Sequence, residues 1–525
     1  MLIFLSICYI LISKIKEKFI LNGRNVMRYI CVDIGTTTIK GIVYDEKGII
    51  VNESYRNSNL VKPENGFMEQ EPDSIKWNLS SVLKELVSKI HIEREELGFI
   101  SLSAYMHSLV AVDKENKALT NVMLWNDRRS QEFVEIAKKD GKGLEIYKKT
   151  GTPVHPMSPL YKIIYLREKE REIFEKSKLF VGIKEIILHW MTGEWVVDES
   201  IASATGMYNI HDRKWEKTAL DYAGITEENL PKVFSTTHVM DVLTDKFKKD
   251  IGLEKDIPIV LGASDGCLAN LGSHGLNKGT AVSTVGTSGA LRVVTDHPLI
   301  DEDGAIFSYI LNDELYVSGG AINNGGIFYE WIRKNLKMEK HLDEIFDGLN
   351  PEDYGNGIVF LPFISGERAP YWDAKLKASI LGLSHGHCSK DILIAGIRGV
   401  SFCLRDVFEV LLKATDTKIN EFYVNGGFTN SDIWVQSFCN IVDRPVFVTE
   451  QGDGPLFGAF LLGILAIGKI NNLDEAKDYF ISGKEFLPIK KYRRDKEFDI
   501  YKRAIAQNRS LLHELADLSS SVDDK

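Results

Sequence analysis

Short apolar runs that are rich in β-branched residues alternate with longer segments of helical spacing from residue 28 onwards. A strand buries alternate residues or one whole short run, whereas an amphipathic helix buries every third or fourth residue. Alternation of the two patterns predicts an α/β fold. In the first part of the chain the predicted strands are 28–33, 40–45, 49–55 and 99–104, and the predicted helix is 74–90.

The later part of the chain repeats this order of elements. Its predicted strands are 258–262, 279–284, 290–295, 357–361 and 421–425, and its predicted helices are 389–413 and 431–442. Because a chain of 525 residues exceeds the size of one compact core, we expect more than one domain. The predicted organisation is a first domain at 27–272, a second domain at 273–490 and a helical tail at 491–525.

The first 26 residues follow a different pattern, in which an apolar run at 2–12 precedes a basic stretch at 14–18. The run is too short to cross a bilayer, and it lacks the preceding basic residues and the cleavage site of a secretory signal. Met27 stands directly before the first predicted strand. We therefore expect Met27 to be the true start and 1–26 to be a non-native or disordered extension. A peripheral membrane anchor is the alternative.

The amino-acid composition indicates which kinds of binding partner and which cellular compartment to expect. The net charge of −10 disfavours a nucleic-acid or anionic-membrane surface, but it leaves room for a phosphate held by backbone amides. The six cysteines form no C-x-x-C pair and no cluster with histidine, as is typical of buried thiols in a reducing compartment. We therefore expect a cytoplasmic protein without nucleic-acid partners or integral membrane association. A homodimer is left open.

Two glycine-containing turns carry the first candidate chemistry. Residues 33–37 are DIGTT and residues 285–289 are VGTSG, and each segment joins two predicted strands. Backbone N–H groups and hydroxyls in such a turn can surround phosphate oxygens, and glycine lets the phosphate come close. Neither segment has the spacing of a Walker or Rossmann loop, both of which precede a helix. Two facing turns of this kind are typical of actin-like ATPases.

Three further features add to this chemistry. Asp33 ends a predicted strand beside the first turn, where a carboxylate can hold hydrated Mg²⁺, and Lys40 is close enough in sequence to reach a phosphate. A third glycine turn at 426–431 follows a predicted strand and opens a helix. Its bare backbone could pack against a flat ring, with Asn430 or Ser431 as the helix cap.

In combination these segments resemble the FGGY carbohydrate kinase family, with motifs that occur in the family's order between about residue 27 and residue 469. Gly366-Glu367-Arg368-Ala369-Pro370 is similar to part of the family's second signature. The complete set of matching segments is 33–38, 157–163, 262–266, 286–289, 366–370, 381–385 and 426–427. A filament-forming or chaperone-type ATPase of the same fold would share the phosphate turns but would lack the 366–370 segment.

The resemblance implies a two-domain actin-like ATPase of ribonuclease H-like topology, with the active site in the interdomain cleft and with ATP and Mg²⁺ as cofactors. It implies that Asp265 is the general base towards the substrate hydroxyl and that Asp33 supports the metal. The ATP-binding residues expected from it are Gly35, Thr36, Thr37, Thr38, Lys40, Gly286, Thr287, Gly426, Gly427 and Asn430.

Three segments, 150–159, 182–185 and 323–326, look like the gluconate-kinase branch of the family. Gluconate phosphorylated at O6 is therefore the expected activity, and xylulose, glycerol or another polyol is the alternative acceptor. A carboxylate at the far end of the acceptor calls for a cation or donor, for which Lys184, His155 and Arg128 are unranked candidates. The substrate-binding residues expected are Met106, His107, Trp125, His155, Met157, Lys184 and Asp265.

Overall fold

The computed structural model describes residues 26–92, 95–450, 452–481 and 483–523. The expectation that 1–26 is an extension thus falls almost wholly outside the described residues and stays a prediction. Within the described ranges, no helix combines the length and the apolar character that a bilayer crossing requires.

A mixed six-stranded sheet forms the centre of the first half of the chain. Its strands are β1 (Met27–Ile34), β2 (Thr38–Tyr44), β3 (Ile50–Asn57), β4 (Glu96–Ala104), β5 (Val239–Met240) and β6 (Ile259–Ser264). Their spatial order is β5-β6-β4-β1-β2-β3. The hairpins of β1, β2 and β3 are antiparallel, whereas β4 lies parallel to both β1 and β6.

A mixed seven-stranded sheet forms the centre of the second half. Its strands are β7 (Thr280–Val285), β8 (Gly289–Thr295), β9 (Phe307–Ile310), β10 (Tyr316–Ile322), β11 (Glu421–Asn425), β12 (Val446–Val448) and β13 (Glu485–Phe486). Their order is β9-β10-β8-β7-β11-β12-β13. Strand β7 is antiparallel to β8 and parallel to β11, as β1 is to β2 and β4. The two sheets therefore share one core topology, and the predicted two-domain α/β fold is confirmed.

Shorter strand pairs lie outside the two sheets. They are Glu69–Gln70 with Val122–Met123, Val110–Val112 with Leu179–Val181, Val196–Asp198 with Lys232–Phe234, Tyr208–Asn209 with Lys214–Trp215, and Val359–Leu361 with Ser379–Leu381. The predicted strand at 357–361 thus forms, but it belongs to a separate hairpin. An apolar run indicates burial and does not say which partner strand supplies the hydrogen bonds.

Helices connect and cover the sheets. They are α1 (Pro72–Ile92), α2 (Gln131–Lys139), α3 (Lys142–Thr150), α4 (Pro159–Lys169), α5 (Arg171–Lys176), α6 (Ile183–Thr192), α7 (Glu199–Ser203), α8 (Lys217–Ala223), α9 (Asp245–Ile251), α10 (Asp265–Leu271), α11 (Gly326–Asn335), α12 (Leu342–Ile345), α13 (Ser389–Ala414), α14 (Asp432–Val442), α15 (Gly454–Ala466) and α16 (Asp495–Asp523).

Of the cysteines in the described ranges, Cys388 is exposed and the others are buried, so the expectation of buried thiols was wrong for Cys388.

Helix α15 comes late in the sequence but packs on the first sheet, against β1 and β4. It is apolar nearly all round, which is typical of a helix buried on several sides. Ser101 of β4 donates a hydrogen bond from Oγ to the Ala459 carbonyl oxygen at 2.8 Å. The contact joins the two halves of the chain directly, while the predicted boundaries at 272, 273 and 490 stay predictions.

Helices α10 and α15 approach each other backbone to backbone. A Cβ atom placed on Gly458 of α15 would lie 2.2 Å from the carbonyl oxygen of Leu268 in α10. A Cβ atom on Gly272, just after α10, would lie 2.0 Å from the carbonyl oxygen of Gly454. Glycine at these positions therefore sets the spacing of the two helices.

We expect Gly458→Ala to lower the free energy of unfolding by about 1–3 kcal/mol, the usual cost of overpacking a core. The added methyl group meets backbone, which cannot rotate away as a side chain can. Urea denaturation measures the loss, and Gly386→Ala is the control because its new Cβ atom would have only one neighbour, 3.9 Å away. Equal stability of the two variants would contradict the close helix contact.

Candidate active site

A cavity of about 280 Å³ lies between the two halves, where β1, β4 and β6 end close to β7 and β8. The first half contributes Asp33, Met106, His107, Trp125, Met157 and Asp265 to its wall. The second half contributes Thr284, Ser288, Arg292, Tyr309, Arg368 and Trp372. The structure thus brings together six residues that the sequence analysis selected from widely separated segments.

Asp265 stands at the junction of β6 and α10. The hydroxyl of Ser264 accepts a hydrogen bond from the Cys267 N–H at 3.4 Å, so the helix begins directly at Asp265. The Asp265 carboxylate accepts a hydrogen bond from the Gly266 N–H at 2.7 Å. Burial raises its pKa to about 6, although Gly266 and the nearby Arg292 oppose the shift. The group is therefore largely ionised near neutral pH and able to accept a proton.

Asp33 faces the same cavity from the end of β1. Ser103 of β4 donates a hydrogen bond from Oγ to its Oδ1 at 2.5 Å. Burial and then the charge of Asp265 raise the pKa of Asp33 to about 7. Two carboxylates that repel each other in a cavity are stabilised by a cation between or beside them.

Each of the two glycine turns joins two antiparallel strands, as predicted, but their internal hydrogen bonds differ. The first joins β1 to β2, where the Gly35 N–H donates a hydrogen bond to the Thr38 carbonyl oxygen at 3.1 Å. The second joins β7 to β8, where the Gly286 N–H donates to the Ser288 carbonyl oxygen at 2.9 Å. Thr36 directly follows Gly35 in the first turn. The residues at the tips of the two turns, Thr37 and Thr287, are exposed.

The third glycine turn lies against the second. Gly426 has a φ of 93°, and a Cβ atom on it would lie 2.5 Å from the Val285 carbonyl oxygen. A Cβ atom on Gly427 would have no neighbour within 4 Å, so the backbone there is open to a ligand. Asn430 is exposed, and the cap of α14 is Ser431, whose hydroxyl accepts a hydrogen bond from the Trp434 N–H at 3.3 Å.

His107 has a left-handed backbone conformation with a φ of 66°, which is strained for a residue with a side chain. Its Nδ1 lies 2.7 Å from the Ala204 carbonyl oxygen, so Nδ1 carries the proton and Nε2 is an acceptor. Burial lowers the pKa of His107 to about 3. The side chain therefore offers a neutral acceptor, 3.5 Å from the Tyr309 hydroxyl.

A buried lysine holds this part of the wall in place. Lys162 donates hydrogen bonds from Nζ to the carbonyl oxygens of His107 at 2.6 Å and Leu124 at 2.7 Å. Leu124 immediately precedes Trp125, so one ammonium group joins the two segments that present His107 and Trp125. Burial lowers the pKa of Lys162 to about 7.

Several predicted site residues do not line the cavity. Lys184 is buried behind β6, where Nζ donates hydrogen bonds to Asp198 Oδ2 at 2.6 Å and to the Ala263 carbonyl oxygen at 3.1 Å. Lys40 pairs with Glu53 at 3.1 Å and Asp453 at 3.6 Å. These acidic partners lie on other elements, which sequence spacing could not identify.

The other two candidates for the acceptor's carboxylate also lie outside the wall. Arg128 is exposed. The ring centroid of His155 lies 5.3 Å from that of Trp372, a wall residue, and its Nδ1 accepts a hydrogen bond from the Met157 N–H at 3.2 Å. His155 therefore supports the wall from outside.

Two arginines that the sequence analysis did not select do line the cavity. Arg292 projects from β8, and Arg368 belongs to the 366–370 segment whose similarity to the family's second signature was noted. Arg368 could have been selected from the sequence, because the segment that contains it had been identified as similar to a family motif. Nothing in the sequence distinguished Arg292 as a site residue, because a charged residue inside a strand is usually exposed to solvent.

A cleft between two sheets of ribonuclease H-like topology, with paired glycine turns and two carboxylates, is typical of actin-like ATPases, a class that includes sugar kinases. The sequence profiles of the FGGY family of carbohydrate kinases match residues 28–272 (N-terminal domain) and 281–467 (C-terminal domain). The chain belongs to the FGGY family of carbohydrate kinases.

The chain is 36% identical over 477 residues to a gluconokinase of Bacillus subtilis (strain 168), covering 88% of this chain and 93% of that protein. It is 26% identical over 495 residues to a xylulose kinase of the same organism, covering 92% and 98%. Among solved structures, gluconate kinase from Lactobacillus acidophilus is similar with a TM-score of 0.85 and 32% identity, covering 94% and 98%. A ligand-bound xylulose kinase from that organism has a TM-score of 0.89 and 32% identity, covering 93% and 100%.

We expect His107 to remain neutral, with the proton on Nδ1, between about pH 5 and pH 8, because burial opposes its charging. Nitrogen-15 NMR of the histidine rings checks this, and the spectrum of His107→Gln assigns the signal. A His107 signal that titrates with a midpoint near the ordinary histidine pKa of about 6.5 would contradict the expectation.

Proposed function

We propose that the chain catalyses the ATP-dependent phosphorylation of D-gluconate at O6, giving 6-phospho-D-gluconate and ADP. The observation that carries the proposal is the similarity to the Bacillus subtilis gluconokinase, at 36% identity against 26% for the xylulose kinase of that organism. The two arginines in the cavity wall, Arg292 and Arg368, support an acidic acceptor. A cytoplasmic location is part of the proposal.

In this mechanism the acceptor hydroxyl lies beside Asp265, whose carboxylate takes up the hydroxyl proton as the oxygen attacks the γ-phosphate. Phosphoryl transfer depends mainly on positioning and charge stabilisation, so the base contributes one part of the rate. The glycine turns at Gly35 and Gly286 orient the phosphates, and the turn at Gly426 and Gly427 lies where the adenosine would pack. Closure of the two halves would exclude water that otherwise competes for the phosphate.

The acidic end of the cavity is suited to Mg²⁺. The described residues contain no group of three or more side chains that could hold a metal ion by themselves. Asp33 faces the cavity beside the first phosphate turn. Mg²⁺ commonly binds through one or two carboxylates together with nucleotide phosphates and water. Asp33 would hold it, and the ion would neutralise phosphate charge during transfer.

D-Xylulose is the second candidate acceptor. The ligand-bound xylulose kinase structure has a TM-score of 0.89, against 0.85 for the gluconate kinase structure, at the same 32% identity. Backbone similarity therefore does not separate the two acceptors.

We expect gluconate to give the highest kcat/KM in a panel of gluconate, xylulose, ribulose, glycerol and glucose. The reason is that neutral acceptors leave the arginine charges of the cavity without an anionic partner. ADP release measured with a coupled assay gives the values, and an assay without acceptor corrects for ATP hydrolysis. A preferred acceptor without a carboxylate would refute the gluconate assignment.

Asp265→Asn and Asp33→Asn should fail in different ways. Asp265→Asn removes the proton acceptor but keeps the shape, so kcat should fall by about 10²–10⁴ while gluconate binding persists. Asp33→Asn weakens the hold on hydrated Mg²⁺, so its lost activity should partly return as Mg²⁺ is raised.

Rates measured across a Mg²⁺ titration, with gluconate affinity from calorimetry, separate the two roles. Near-normal turnover of Asp265→Asn, or a defect of that variant that Mg²⁺ rescues, would show that the roles are assigned to the wrong residues.

A further inference from the structure

Arg292 and Arg368 both have donors that no protein group satisfies. Nη1 of Arg292 and Nε of Arg368 are buried without a hydrogen-bond partner. Arg368 donates from Nη2 to the Ile322 carbonyl oxygen at 3.1 Å, a neutral partner. A buried charged group without a full set of partners is costly, so the protein holds these donors in place for a ligand.

The neighbouring acid, Glu367, makes its hydrogen bonds to groups other than the two guanidinium groups. Glu367 accepts hydrogen bonds from the Asn324 side-chain amide at 3.0 Å and from the Arg368 backbone N–H at 2.8 Å. Its carboxylate is therefore occupied, and neither guanidinium forms an ion pair with any carboxylate in the described ranges. Burial lowers the pKa of Arg368 to about 10, the charge of Glu367 opposes this shift, and the like charge of Arg292 adds to it. Arg292 and Arg368 line the same cavity.

Glycine at residue 266 lets the side chains of Met106 and Arg292 come close to the backbone beside Asp265. A Cβ atom on Gly266 would lie 2.7 Å from Met106 Cε and 3.5 Å from Arg292 Nη2. Gly266 directly follows Asp265, so the guanidinium group of Arg292 lies beside the turn that carries the proposed base. A short acceptor chain can therefore contact both.

Arg368 faces the acceptor side of the cavity. Its guanidinium carbon lies 5.3 Å from the ring centroid of Trp125. Its charge also contributes to the lowered pKa values of His107 and His155, which lie in or against the same wall. The 366–372 loop is held by backbone hydrogen bonds between Glu367 and Asp373 at 2.8 and 2.9 Å.

We propose that Arg292 and Arg368 together form a carboxylate-binding subsite that makes this kinase selective for sugar acids over neutral sugars and polyols. The proposal rests on the proposed function for its acceptor chemistry, an aldonate chain with one carboxylate. Arginine forks bind carboxylates through two parallel hydrogen bonds, which provide orientation as well as affinity. In this arrangement the carboxylate and the reacting hydroxyl are held in the one cavity that Arg292, Arg368 and Asp265 all line.

The test compares D-gluconate with D-glucitol, in which a CH₂OH group replaces the carboxylate on the same carbon chain. The variants are Arg292→Gln, Arg368→Gln and the corresponding Lys substitutions. Arg171→Gln is the matched control, because Arg171 is exposed on α5 and its ion-pair partner among the described residues is Glu175. Steady-state rates give kcat and KM for each acceptor and for ATP, and calorimetry gives the affinity for each acceptor.

Each Gln variant should lower kcat/KM for gluconate by about 10²-fold, mainly through KM, as expected when a buried charge loses its partner. The kcat/KM for glucitol should fall much less than the kcat/KM for gluconate, and the KM for ATP should stay close to that of the wild type and of Arg171→Gln. Lys at either position should restore part of the gluconate affinity, because it keeps the charge but not the fork. Thermal unfolding without ligand should show no loss of stability, since the guanidinium groups have few protein partners.

Other outcomes separate the two proposals. Equal losses for gluconate and glucitol, or a loss confined to the KM for ATP, would assign the arginines to the transferring phosphate and overturn the subsite. A wild-type enzyme that prefers another sugar acid, with the same loss of selectivity in the variants, would refute the gluconate assignment and support the subsite. A wild-type preference for neutral acceptors would refute both.

Discussion

The contact on which the site depends is the backbone packing of α10 against α15. Gly458 and Gly272 allow this approach because a single Cβ atom at either position would overlap a carbonyl oxygen. Asp265 is the first residue of α10, and α15 follows the last parallel strand of the second sheet. The same contact therefore connects the proposed base with the half of the chain that carries the second and third glycine turns.

The charged side chains of the cavity need bound ligands to neutralise them. Asp33 and Asp265 repel each other, and both have raised pKa values, while Arg292 and Arg368 line the same cavity with unsatisfied donors. A protein selected only for stability would pair or remove such groups. Their arrangement indicates that a cation on the Asp33 side and an anion on the arginine side complete the site.

The arginine side is supported from outside the two sheets. The loop that carries Arg368 and Trp372 ends at Asp373, whose carboxylate binds Arg509 at 2.8 Å and His513 at 2.8 Å. Both partners lie on α16, the helix predicted as a tail, which packs through buried Tyr501 against the core. Rigid support of this kind limits the loss of conformational freedom when a ligand binds.

The sequence by itself determined the elements and the turns. The strand pattern and the segments at 33–37 and 285–289 follow from local spacing, whereas His107 and Asp265 were expected from the family resemblance. The structure places Asp33, His107 and Asp265 in one cavity. Only the tertiary structure decided which cations face that cavity. Lys184 is paired with Asp198, whereas Arg292 has no ion-pair partner among the described residues, because ion pairing depends on which elements folding brings together.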